Sequence, residues 1–118
     1  MVATYEDAGL LVQLLRLDAE MGLDDAMSAI FNPSFDPESA NMDDPNVRKI
    51  LFFGEAVGAM VKHHVLDLGL IRDVYWFDGL WSRVSAHALA AREMENEPSL
   101  YENFEALVVK NSGGSLVP

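Results

Sequence analysis

No cysteine occurs in the 118 residues of the chain. Disulfides, thiolate metal sites and cysteine nucleophiles are excluded together, and a cytoplasmic setting is the natural expectation. Basic side chains are scarce: 8 Lys and Arg stand against 19 Asp and Glu, for a net charge of −11. Direct nucleic-acid binders and peptides for anionic membranes need clustered Lys and Arg, so neither class fits. Long apolar runs are missing too. The longest, Ile50 to Val61, is interrupted by Glu55 and falls short of the ~20 residues that span a bilayer. Glu6 and Asp7 stand where a secretion signal would carry bases.

Several chemical motifs are also lacking. The chain has no Gly-x-Ser-x-Gly, no phosphate-cradling glycine loop and no dinucleotide fingerprint. It has neither Glu-x-x-His nor His-Glu-x-x-His, the helical patterns of di-iron and zinc sites. The expectation is a protein without catalytic residues, cofactor or metal.

What is present is an apolar half of the composition, enough for one real core at this length. A single helical domain is expected over 1–110, and Asn111 to Pro118 reads as a linker running into the start of a protease-cleavage tag. Leu10, Leu11, Leu14, Leu15, Leu17 and Met21 recur at helical spacing and predict a helix from Tyr5 to Met21. Its apolar arc is wide, so it is either covered on two sides within a bundle or buries its extra face against a second copy. Gly22 supplies a stop, and Leu23 to Phe31 restarts a short helix with Asp24 as its expected cap.

Residues 32–44 read as a loop, with Pro33 and Pro37 among Asn, Asp and Ser, and with Phe35 and Met42 to pin it on the core. Asp44-Pro45 is a helix start. The helix it opens is expected to run to about Leu68, with Ile50, Phe53, Val57, Met60, Val61 and Leu68 on one arc and Arg48, Glu55 and Lys62 opposite. Gly54 and Gly58 on the edge of that arc call for a close crossing by another helix. Ile71 to about Glu95 carries a further stripe of Val74, Phe77, Leu80, Trp81, Val84, Ala88 and Ala91, with Gly79 as a candidate break. A last helix begins near Pro98-Ser99, where Ser99 and Glu102 have capping-box spacing. No period-two strand appears. The fold class is therefore all-α, a compact bundle of four to six helices.

The segment Asp44-Pro-Asn-Val-Arg-Lys-Ile-Leu-Phe-Phe-Gly-Glu-Ala-Val-Gly-Ala-Met-Val-Lys62, followed by Leu66-Asp67, Asp73, Trp81, Arg92 and Tyr101-Glu-Asn-Phe-Glu-Ala-Leu107, resembles a family of small helical prokaryotic proteins of unknown function. The likeness spans about residues 44–107. Gly54, between the aromatic pair and Glu55, and the His63-His64 pair depart from the family pattern. The resemblance implies the helical fold and carries over no catalytic residue.

Histidines are the remaining candidates for chemistry. His64 projects into the apolar arc and reads as a partly buried core histidine, while His63 and Asp67 share a face four residues apart. Two ligands do not make a metal site, and His87 has no carboxylate at a useful spacing. Charge is more informative. Residues 1–46 carry −9, residues 47–92 carry +2 and the rest −4.

The leading expectation is a non-enzymatic acidic protein acting through protein–protein contacts and self-associating as a homo-oligomer, in the simplest case a dimer, through Leu10, Leu14 and Leu17. The alternative is an acidic inhibitor or nucleic-acid mimic that holds a basic nucleic-acid-binding protein with Asp36, Glu38, Asp43 and Asp44. A third is a ligand-binding bundle or enzyme using His64 or His87.

Overall fold

In a computed structural model, which describes residues 5–38 and 43–108, the chain is an all-α bundle with no strand among the described residues. Helix α1 is Tyr5–Met21, α2 is Leu23–Phe31, α3 is Pro45–Lys62, α4 is Leu68–Val74 and α5 is Phe77–Met94. A sixth helix, α6, covers residues 102–108. The linker expected at residues 111–118, and Met42 in the loop, lie outside the described residues.

Helix α3 is the centre. Val47, Ile50, Leu51, Phe53 and Val57 are fully buried on it, and α2 and α5 pack against it while α1 lies chiefly on α2. The core continues through Leu23, Ala26 and Ile30 of α2, through Phe77, Leu80, Val84 and Ala88 of α5, and through Phe104 and Leu107 of α6. Phe53 and Tyr75 meet edge to face at 5.0 Å, as do Trp81 and Phe104.

The N-termini of α3 and α4 start on aspartates. Asp44 accepts from the Asn46 and Val47 amides with Pro45 behind it, the expected cap. Asp67 accepts from the Leu70 amide at 2.9 Å and opens α4.

Helix α3 ends at Lys62, six residues before the expected Leu68. At that end the Val65 amide donates to Met60 at 2.8 Å and the His64 amide to Val61 at 3.1 Å. That pair of bonds, with His64 left-handed at φ 61°, is a Schellman stop. Arg92 to Glu97 repeats it, with Asn96 at φ 51°.

Gly79 does not break the following helix. The break falls at Tyr75 and Trp76, and Gly79 lies inside α5, where its bare α-carbon faces the Trp76 indole. Asp24 does not cap α2 either: Gly22 occupies the cap position in the left-handed region, at φ 69°, and no side chain bonds the first turn.

Candidate interaction surfaces

Among the described residues of helix α1 only Leu14 is buried, at 4% exposure. Leu10, Leu11 and Met21 are half-buried. Val12, Leu15 and Leu17 are exposed at 59%, 42% and 36%, and with Ala8 and Ala19 they face solvent. Of the three leucines expected at a partner surface, Leu14 therefore belongs to the core, Leu10 packs against it, and Leu17 alone is open. The stripe Ala8, Val12, Leu15 and Ala19, spaced four, three and four residues, is the outward apolar face. Helix α1 is held from its inner side by Asp18, which accepts from the buried Tyr75 hydroxyl at 2.7 Å. Burial and that carboxylate push the phenol far above its ordinary range.

The acidic loop divides by role. Asp36 accepts from the Glu38 amide at 3.0 Å, and both side chains are exposed. Asp44 is half-buried and committed to the α3 cap. Asp43 is exposed and borders an open groove of about 570 Å³ with Arg48, Glu95 and Tyr101.

The histidines stand differently from their projected places. His64 is exposed on the turn after α3, so it is no core residue, and His63 and Asp67 end one helix and begin the next rather than sharing a face. The buried histidine is His87, at 1% exposure. Its ring stacks on Phe35 at 5.9 Å, and its Nδ1 is buried without a hydrogen-bond partner among the described residues. Burial lowers its pKa below the ordinary 6.5, against the opposing pull of Asp44 and Asp36. Phe35 thus pins the loop, as expected. Beyond it an aromatic ladder runs outward: Arg83 lies 5.3 Å from the Phe35 ring centre and 6.0 Å from that of Phe31, which stacks on the exposed Trp76 at 5.9 Å. The guanidinium is fixed there by its Nε, which donates to the Ile30 carbonyl at 2.7 Å.

Helical projection of the sequence puts Glu55 on the solvent side of α3. Instead its carboxylate accepts from the Asn103 and Phe104 amides, each at 3.0 Å, and from Asn103 Nδ2 at 2.8 Å. A residue 48 positions upstream caps α6, and the Ser99 hydroxyl donates to the Glu97 carboxylate instead of forming a capping box with Glu102. Gly54 and Gly58 make room for this: a Cβ on Gly54 would collide with the Phe104 ring, and one on Gly58 with the Asn103 carbonyl. Beside them an open groove of about 340 Å³ runs between α3 and α6, lined by Val61, Lys62, Asn103 and Leu107.

No histidine lines either groove. Among the described residues no three His, Asp or Glu side chains are grouped so as to hold a metal ion, and no helix is long and apolar enough to cross a membrane.

The likeness of this chain to known proteins is to a family. A model of the domain of unknown function DUF4760 matches residues 12–110. The chain belongs to the DUF4760 family. The family match contains the whole 44–107 segment that carries the sequence resemblance, and it extends back into α1, so the family unit includes most of the helix bearing the exposed leucines. No curated protein and no solved structure matches the chain.

Proposed function

We propose that this chain is a non-enzymatic, cytoplasmic protein that acts through protein–protein contacts and self-associates through α1. The observation that carries the reading is the outward stripe of α1, with Val12 at 59% and Leu15 at 42% exposure on a helix whose inner side is already satisfied by the core. Apolar residues repeating at helical spacing on a solvent face mark an interaction surface more often than isolated exposed leucines do. Sedimentation velocity across a concentration series tests it. The parent chain is expected to dimerise, and Leu15→Glu with Val12→Glu to hold it monomeric; a concentration-independent parent monomer overturns the reading.

A second reading, an acidic inhibitor or nucleic-acid mimic, has the exposed Asp36 and Glu38 in its favour. It predicts salt-sensitive capture of a basic nucleic-acid-binding protein that is lost in Asp36→Asn with Glu38→Gln. Asp44 drops out of that test, because its carboxylate holds the α3 amides and its removal would unravel the helix start.

A further inference from the structure

Helices α1 and α2 are separated by Gly22 alone. The break is slight in bonding. The Gly22 amide donates to Ala19 at 3.3 Å and the Gly22 carbonyl accepts from Ala26 at 3.2 Å, so helical hydrogen bonding approaches the residue from both sides. What divides the helices is one backbone conformation, φ 69° and ψ 40°, in the left-handed region. Glycine enters that region as readily as the right-handed one, whereas other L-residues disfavour it. Space does not enforce the bend: a Cβ on Gly22 would meet only the end of the Lys49 side chain, at 3.9 Å. The first turn of α2 also has no side-chain cap. Were Gly22 right-handed, the amides of Leu23, Asp24 and Asp25 would find the carbonyls of Ala19, Glu20 and Met21 four residues back, and the orphan groups of two helix ends would disappear.

Helix α1 meanwhile holds to the body through few groups, namely Leu14, the half-buried Leu10, Leu11 and Met21, and the Asp18–Tyr75 bond. A second copy offers the identical seat. An arm exchanged between copies regains each of these contacts, and the fused helices meet in a new interface.

We propose that α1 is an exchangeable arm: in the dimer Gly22 becomes helical, α1 and α2 fuse into one helix over residues 5–31, and α1 docks on the α2 of a second copy. This rests on the self-association proposed above and names its architecture. Exchange leaves Val12 and Leu15 as the apolar residues available to the new contact between the two fused helices.

The absence of cysteine permits a clean test. Nitroxide labels at Ala8→Cys and Ser28→Cys, both exposed positions on α1 and α2, report the intrachain distance by pulsed electron resonance when labelled chain is diluted into excess unlabelled chain. A fused helix sets 20 residues between them, about 30 Å at 1.5 Å per residue; the bent form is shorter. Sedimentation is run on the same samples, with Gly22→Ala and Gly22→Asn beside the parent. Exchange predicts that the dimer fraction shows the distance near 30 Å. It also predicts that Gly22→Ala tightens dimerisation by about tenfold or more, because alanine both favours the helix and resists the bend. Gly22→Asn, which tolerates the left-handed region, is expected to dimerise like the parent. A dimer that keeps the short distance overturns the exchange and leaves face-to-face association standing. A monomer at every concentration overturns both. A folded Gly22→Ala chain that does not dimerise more tightly also overturns the exchange; if that variant fails to fold, the labelled parent decides.

Discussion

A carboxylate with three donors is hard to replace. Glu55 accepts two backbone amides and one side-chain amide from residues 103 and 104, and hydrogen bonds to a charged acceptor are worth about 1.5–3 kcal/mol each before the cost of orphaning the donors. Glu55→Ala is expected to destabilise the fold by about 2–3 kcal/mol in urea unfolding, a large loss for a half-buried surface residue. An effect within ~0.5 kcal/mol would mean that water replaces the carboxylate without penalty. His87 gives a pH-dependent counterpart. Its folded pKa lies below 6.5 because the ring is buried, so the unfolded chain binds the proton first as the pH falls. The stability it permits is complete above 6.5 and declines below it, with a slope of at most about 1.4 kcal/mol per pH unit. His87→Leu, which also removes an Nδ1 that has no partner among the described residues, is expected to flatten this acid limb relative to the parent when unfolding is followed from pH 7.5 to 5. Parallel curves would show that the histidine charges without disturbing the fold. Both residues are poorly legible in the sequence, for different reasons. Glu55 projects with Arg48 and Lys62 on the polar side of α3, and only the placement of a helix nearly fifty residues away turns that side inward. His87 sits in register with Leu80, Val84 and Ala91, which is a signal of burial; carboxylate spacing, the usual test of a histidine, misses it because the neighbours here are Phe35 and the loop.

At the scale of elements, the boundaries set by local chemistry are readable. Tyr5–Met21, Leu23–Phe31 and the Asp44-Pro45 start stand where periodicity and capping put them. A boundary set by a left-handed residue other than glycine is not. Nothing in His63-His64 announces a left-handed residue, since glycine or asparagine usually fills that position. The consequence is measurable: His64 is exposed at φ 61°, so His64→Gly is expected to stabilise the protein by about 0.5–1 kcal/mol. A loss on that substitution would point to a contact of the imidazole with the end of α3. The glycine pair behaves as the spacing suggests, as a site of close approach. Alanine at Gly58 would gain about 1 kcal/mol of helix propensity, yet it would strike the Asn103 backbone, which has no rotamer in which to retreat. Overpacking of this kind costs about 1–3 kcal/mol. Gly58→Ala is therefore expected to lower the urea midpoint with an unchanged slope, and a raised midpoint would show that α6 can move aside.

For the whole molecule, the uneven charge acquires a physical arrangement. The strongly acidic first 46 residues contain α1, α2 and the described parts of the acidic loop, with α2 packed on α3 and α1 chiefly on α2, and the exposed Arg48 and Lys49 of α3 offset little of that charge. An association that buries the apolar stripe of α1 must bring some of these carboxylates closer together, so it is expected to strengthen with salt. That is the reverse of what capture of a basic partner would show. Sedimentation of the parent at 20 and 300 mM NaCl separates the two: tighter dimers at the higher concentration favour the apolar contact, and weaker ones an interface made of opposite charges. The pattern of α1 makes this surface partly legible, since its apolar arc is wider than one packed side of a helix can bury. Which leucines remain outside is decided by the angle at which α1 meets α2, and that angle is a property of one glycine.

The carboxylate cap on α6 has a consequence for how the chain is made. Phe104 and Leu107 close the core against Phe77, Trp81 and α3, yet they come from the far end of the bundle in chain order. A polypeptide emerging from its N-terminus has α1 to α5 available while the slot above Gly54 and Gly58 is still vacant and Glu55 has no amides to receive. Until residues 103–107 follow, the rings of Phe77 and Trp81 lack the Phe104 ring that packs on them. The core therefore stays open along the α3–α5 seam until the last described helix is in place, because Phe104 and Leu107 are the residues that close it.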